Sequence, residues 1–250
     1  MAQSKIIYIH GSPIPLFDQA NNFHALNMCQ AYRQEGYDVT LMAVRAPDYP
    51  PQPDELEQIW KTFDIHNPFK LQLFRSLSPI HRFRFYDASV RMAFEARTFS
   101  GVRIHTRNIT SALWGMKLGI PVILELHAPP SGKLNTFQAR QAFQHPKLIK
   151  VITNSNGLKR ILLESYRDIL QPDQVQPEPN AIDPERFDSL PDRETIRQQL
   201  NIPSDDFVVV YAGSMYAGRG IELLIEIGEQ LPDISFLLLG GESAQVDLFR

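Results

Sequence analysis

Short apolar runs alternate along this chain with stretches in which apolar positions return every three or four residues. KIIYIH (5–10) is the first run and ends at Gly11. The segment 22–35 then carries Ala25, Met28, Cys29 and Tyr32 on one helical stripe, with Gly36 where a left-handed cap belongs. YDVTLMA (37–43) is the next strand, and a less regular region opens with the loop PDYPPQPDE (47–55). A helix over 84–99 precedes the strand VRIHTR (102–107), and a helix over 109–118, with Ile109, Leu113 and Met116 on one face, closes at Gly119. IPVILELH (120–127) and LIKVITNS (148–155) are nearly continuous apolar strands, as expected where helices cover both faces of a sheet. The helix after them buries Leu158, Ile161, Leu162 and Ile169. This alternation predicts an α/β fold, a complete Rossmann-like domain with a parallel sheet over residues 1–170.

The composition then changes. Residues 171–205 are rich in proline and acidic residues and read as a linker. From 206 the pattern resumes, with the strand DFVVVYAG (206–213), a helix over 220–231 and the strand ISFLLLGG (234–241). Residues 206–250 are thus the first β-α-β unit of a second Rossmann-like domain. About 45 residues are too few to bury a core of their own. The chain is therefore expected to be a fragment of a longer two-domain protein.

Composition narrows the class. With 43% hydrophobic and 21% charged residues the sequence suits a soluble globular protein. No apolar run approaches the roughly 20 residues of a membrane span, and the stretch near the N-terminus is too short for a signal peptide. The single cysteine, Cys29, leaves no internal disulfide framework and no cysteine-based zinc site, so a reducing cytoplasm is the expected compartment. The net charge of −3 argues against nucleic acid as a partner. Charge is nevertheless uneven. Residues 65–107 hold eight basic and two acidic side chains, whereas 176–250 hold five basic and fourteen acidic. The basic segment interleaves arginines with Phe69, Phe74, Phe83, Phe85, Phe94 and Phe99. That pattern suits either contact with an anionic membrane or an anionic acceptor, or a helix with arginines outside and phenylalanines in the core.

Several chemistries are absent. There is no P-loop, no G-x-S-x-G elbow and no three-glycine dinucleotide turn after the first strand. No D-x-D pair is present to hold a divalent ion against a diphosphate, and the histidines His24, His66, His81 and His145 show no metal-ligand spacing. No metal or cofactor is implied, so any diphosphate would meet amides, arginines and helix dipoles.

YAGSMYAGRGIE (211–222) offers those three. Gly213 turns the chain after the strand, Gly218 and Gly220 allow close approach, and the following helix points its positive end at the same place. An ordinary βα turn would explain the glycines; Arg219 beside them favours phosphate. His127, at the end of 120–127, is either a loop-capping histidine or a group that meets a sugar or phosphate. Arg107 ends its strand with the same ambiguity. In the loop after Gly11, Asp18 is open to a ligand and Asn21 is expected to cap the next helix. His10 and His105 alternate with apolar residues and are expected in the core or behind the site.

Taken in order, the loop after the first strand, ELHAPP, VITNSNGLKR, PNAIDPERF, YAGSMYAGRGIELLIE and FLLLGGE resemble the retaining nucleotide-sugar glycosyltransferases of family 4, which have the GT-B fold. The resemblance makes His127 the active-site histidine that meets donor sugar and phosphates, places Ser155 at a helix start, and matches Asn180, Asp183 and Phe187 to a further family motif. Arg219 stands where the family usually has a diphosphate-binding lysine. Ser214 replaces an expected arginine, Ala181 replaces a glycine, and the family's paired glutamates would lie beyond Arg250. The implied function is transfer of a sugar from a nucleotide diphosphate donor to a glycan, lipid or small-molecule acceptor, with retention of configuration. Gly213, Ser214, Arg219 and Gly220 would meet the donor phosphates, and Gly11, Asp18, Arg107, Ser155 and Asn180 would line the acceptor side or cleft. The alternative is a non-catalytic subunit that binds a glycan or partner through the first domain.

Overall fold

A computed structural model describes residues 4–15, 20–46, 52–77, 84–188, 190–241 and 243–247. The chain divides into two compact units, Met1–Asn180 and Ala181–Arg250.

The first unit is a seven-stranded sheet in the order β3-β2-β1-β4-β5-β6-β7. Its strands are β1 (Lys5–Ile14), β2 (Asp38–Arg45), β3 (Lys70–Phe74), β4 (Val102–Thr106), β5 (Val122–Leu126), β6 (Leu148–Thr153) and β7 (Val175–Pro177). Every neighbouring pair is parallel. The crossovers contain α1 (Ala20–Gln34), α2 (Glu55–Thr62), α3 (Arg84–Ala96), α4 (Ile109–Lys117), α5 (Lys133–Phe143) and α6 (Asn156–Ser165). Alternation along the strands supplies two cores. Ile7, Ile9, Ile104, Val122 and Leu124 enter one with Met92 and Met116 of α3 and α4. Tyr8 and Leu41 enter the other with Leu26 and Cys29 of α1 and Ile59 of α2. Each such side chain contributes about 1.5–3 kcal/mol by leaving water, before chain entropy is charged against it. Both faces of the sheet are covered, which is why the central strands read as unbroken apolar runs.

Several boundaries differ from those the sequence predicts. β1 does not stop at Gly11 but continues to Ile14 after a shift of register between His10 and Pro13. α1 starts at Ala20, so Asn21 lies inside the helix rather than capping it. The irregular region after residue 47 holds α2, which buries Ile59, and the edge strand β3. The proline-rich stretch 171–205, read as a linker, contains β7, whose Val175 is buried beside β6. Proline at the end of an outer strand removes no needed donor from the ladder, so Pro177 does not prevent pairing. The aromatic residues of 65–107 are divided. Phe69 is in the core with Tyr8 and Leu41, Phe74 and Phe99 pack against the core on the other face, Phe85 and Phe94 are exposed, and Phe83 lies outside the described residues.

The second unit holds α7 (Glu185–Asp188), α8 (Arg193–Gln199), β8 (Val208–Ala212), α9 (Ile221–Gln230), β9 (Ser235–Leu239) and α10 (Ser243–Asp247). β8 and β9 are parallel neighbours joined by α9. α8 also falls within the stretch read as a linker, and the Asp192 side chain caps it by accepting from Thr195 N–H at 2.9 Å. Among the described residues of this unit Met215 and Ile221 are the buried hydrophobic ones. No helix among the described residues is long and apolar enough to cross a membrane.

Candidate active site

The strand order reverses between β1 and β4, and parallel sheets leave a crevice at the carboxyl ends of such strands. A cavity of about 670 Å³ opens there, lined by Gly11 from β1, Arg107 and Asn108 after β4, and Glu125 and His127 at the end of β5. Three sequence candidates, Gly11, Arg107 and His127, are therefore brought together. Gly11 packs closely there: a Cβ on it would lie 3.0 Å from Asn108 Nδ2. Asn108 is held in turn as the N-cap of α4, accepting from Ser111 N–H at 2.8 Å; such a cap stabilises the helix by about 1 kcal/mol.

The chemistry of the cavity centres on Glu125. Glu125 and His127 are two residues apart in an extended segment and so share one face of the sheet. Glu125 Oε1 lies 2.5 Å from His127 Nε2 and 2.9 Å from His24 Nε2, which comes from α1. Its other oxygen, Oε2, lies 3.1 Å from His105 Nε2 on β4. The His24 and His105 contacts are within ion-pair distance but off the line of a well-formed hydrogen bond. His105 Nδ1 is 2.9 Å from Tyr32 Oη, and the His24 and His127 rings meet edge to face with centroids 5.3 Å apart. Burial pushes the Glu125 carboxyl up, but the His105 and His24 imidazoles outweigh burial and hold it well below the usual carboxylate range. Burial lowers His127; the Glu125 carboxylate opposes that and the Arg107 guanidinium adds to it.

His10 also lines the cavity; its Nε2 is 2.7 Å from Asn22 Oδ1, and Asn22 Nδ2 donates to the Pro13 carbonyl at 3.0 Å. Burial is the main reason that His10 is lowered to about 4. His10 and His105 are both buried. His24, Glu125 and His127 each offer a ligand atom within 4.8 Å of the others, and among the described residues they are the one group of three such side chains placed to hold a metal ion. Sequence spacing does not reveal this cluster, because its members sit on α1 and at the end of β5.

The remaining candidates lie elsewhere. Ser155 is the N-cap of α6, its hydroxyl accepting from Leu158 N–H at 3.2 Å. Asn180 is exposed at the end of the first unit. Asp18 lies outside the described residues. A separate concavity on α6, lined by Lys159, Arg160 and Arg167, contains no group of the Glu125 cluster.

In the second unit the turn after β8 begins with Gly213, whose N–H donates to the Leu239 carbonyl at 2.9 Å. Tyr211 Oη donates to the Ser214 carbonyl at 2.8 Å and fixes the first half of the turn. Gly218 and Gly220 have φ of 85° and 82°, Gly220 is the N-cap of α9, and the Arg219 side chain is exposed beside it. The free N–H groups and dipole of that helix end suit an anion. Gly240, not singled out as a site residue from sequence, completes the turn. Its φ is 116°, and a Cβ on it would lie 2.2 Å from the Gly213 carbonyl oxygen.

Comparison with known proteins identifies this architecture. The Glycosyltransferase Family 4 model matches residues 22–186. A curated relative, the alpha-galactosylglucosyldiacylglycerol synthase of Streptococcus pneumoniae, is 36% identical over 67 residues, which are 26% of this chain and 18% of that protein. Among solved structures, a glycosyltransferase from Rickettsia africae superimposes with a TM-score of 0.71 at 16% identity, over 100% of this chain and 63% of that one. Anabaena HepE in complex with UDP and glucose gives 0.67 at 16% identity, over 99% and 64%. The chain therefore spans under two thirds of the length of these relatives, and at such identities the superpositions speak for the fold. The family model covers well over half of the chain, the fold matches that of GT-B proteins, and the chain belongs to Glycosyltransferase Family 4.

Proposed function

We propose that the chain takes part in transferring a sugar from a nucleotide diphosphate donor to a glycan, lipid or small-molecule acceptor with retention of configuration. The observation that carries this reading is the meeting of Gly11, Arg107 and His127 in one cavity at the sheet's switch point, in a chain of this family. The solved complex of HepE with UDP and glucose supports a uridine-type donor. In this reading the turn Gly213–Gly220 receives the diphosphate through α9 N–H groups and Arg219, while His127 and Arg107 serve the sugar and acceptor side. The bond from the sugar C1 to the phosphate oxygen breaks, the acceptor oxygen bonds to C1 on the same face, and the acceptor proton goes to the departing phosphate. No metal takes part. The reaction belongs in the cytoplasm, with peripheral contact to an anionic membrane through segment 65–107. The exposure of Phe85 and Phe94 supports that contact, and failure to sediment with anionic vesicles at any salt concentration would remove it.

Incubation with UDP-glucose and candidate acceptors, with the product anomer read by NMR, tests the reaction. His127→Ala is expected to reduce transfer about 10–100-fold, the usual loss when one hydrogen bond to the sugar is removed and its partner left unpaired. The cavity lies wholly in the first unit, which favours binding without catalysis as the second reading. Glycan binding with neither transfer nor donor hydrolysis would select it.

A further inference from the structure

We propose that Glu125 is a positioning residue: it holds the Nε2–H of His127 on its carboxylate, so that His127 offers the Nδ1 lone pair to the cavity and accepts a hydrogen bond from a sugar hydroxyl. The tautomer stands on the cluster alone; that the hydroxyl is a sugar's rests on the proposed function.

An ionised carboxylate only accepts hydrogen bonds, and it has lone pairs enough for several donors. A nitrogen lone pair 2.5 Å from Glu125 Oε1 would be repelled, so His127 Nε2 carries the proton. The same holds around the carboxylate. His105 Nδ1 faces the Tyr32 hydroxyl, which donates to it, leaving the His105 proton on Nε2 and toward Glu125 Oε2. His24 turns Nε2 to Oε1 as well. Of the three contacts to Glu125, that of His127 is the one with hydrogen-bond geometry. His127 Nδ1 has no partner among the described residues and is not a buried unpaired atom, so it is open to the cavity that the ring lines.

A lone pair there repels phosphate oxygens and suits a hydroxyl donor. The charged groups acting on His127 are Glu125, Arg107 and His24, and burial with Arg107 disfavours a second proton on the ring. Arg107 lines the same cavity and remains to meet an anion. The two side chains thereby divide recognition, hydroxyl to His127 and negative charge to Arg107. His24, without a ligand role from sequence, shares the carboxylate oxygen that fixes His127.

NMR of the 250-residue chain labelled with ¹⁵N-histidine reads the tautomer directly, with His127→Gln identifying the His127 signals. The expected spectrum near neutral pH shows a neutral ring, protonated at Nε2 and unprotonated at Nδ1. In Glu125→Gln the single tautomer gives way to a mixture. If that variant does not fold, the unsubstituted chain decides alone: a ring protonated at Nδ1, or at both nitrogens, overturns the proposal. Inorganic phosphate is expected to leave the ring neutral, and phosphate-driven protonation counts against it. Stoichiometric zinc that displaces the Nε2 protons of His24 and His127 would overturn it in favour of a metal centre. None of these spectra needs donor or acceptor. Absence of glycosyl transfer from a chain that keeps the Nε2–H form would therefore refute the proposed reaction and not the positioning.

Discussion

In the first unit the polar groups at the cavity are side chains already committed to one another, whereas in the second unit the groups at the turn after β8 are backbone amides held open by glycines. Glu125 is buried among three imidazoles from α1, β4 and the end of β5. The turn relies instead on positive φ at Gly218, Gly220 and Gly240 and on the close approach of Gly240 to Gly213. The two sites are therefore vulnerable to different changes. A network of titratable side chains is disturbed by protons and by changes of functional group. A backbone cradle is indifferent to both, and is disturbed by a single added methyl.

The sharpest test of that contrast is Gly240→Ala. The added Cβ would meet the Gly213 carbonyl at 2.2 Å with φ at 116°. Strain and crowding together are expected to cost about 4 kcal/mol, read as a lower urea midpoint for the second unit. Gly220→Ala, at φ 82° with nothing within 4 Å, carries the conformational penalty alone, about 1–2 kcal/mol. Equal losses in the two variants would show that backbone crowding is not what shapes the turn.

Acid is the corresponding probe of the first unit. His10 is lowered in the folded chain to about 4, whereas an unfolded histidine titrates near 6.5. Between those values the unfolded chain binds the extra proton, so stability is full above about 6.5 and falls as the pH drops toward 4. At 1.36 kcal/mol per pH unit the loss approaches about 3 kcal/mol. Glu125, lowered as well, adds a loss that begins below the unfolded glutamate value of about 4.3. Denaturant titrations at a series of pH values should show the His10 slope, and His10→Gln should flatten it. A slope unchanged by that substitution would place the sensitivity elsewhere.

These tests bear on what was legible in the sequence. The doubly wound sheet was, because fully covered strands must be apolar throughout and their helices keep a 3.6-residue period. The turn at 211–222 was, because positive φ demands glycine and leaves a local signature. The Glu125 cluster was only half legible. The E-x-H spacing in ELH places Glu125 and His127 on one face of a strand, but His24 and His105 arrive through tertiary packing that no local pattern encodes. α2, β3 and β7 were missed because short elements at the edge of a sheet bury few residues. Gly240 was passed over as a strand terminus, since its constraint is the carbonyl of a residue far along the chain.

A smaller effect is expected at Arg219, which is exposed at the start of α9 and has no hydrogen-bonded partner for its side chain among the described residues. Arg219→Ala should leave the urea midpoint unchanged and weaken UDP binding about tenfold, the lower end for a charge-assisted contact in water. Loss of stability without loss of UDP binding would make Arg219 part of the turn's framework rather than of a phosphate site.

The smallest effect separates two roles for Ser155. Family resemblance places it at the cleft, while its hydroxyl already accepts from Leu158 N–H as the cap of α6. Ser155→Ala should cost about 1 kcal/mol, the usual value for a lost cap. Ser155→Asp should recover that loss, because a carboxylate caps equally well and its charge suits a helix N-terminus. The two roles diverge on this second variant. A cap tolerates the carboxylate in every assay, whereas a hydroxyl that touches a donor phosphate would become a repelling charge. Unchanged thermal stability together with abolished UDP binding in Ser155→Asp would return Ser155 to the binding machinery; unchanged stability and unchanged binding would leave it as the start of a helix.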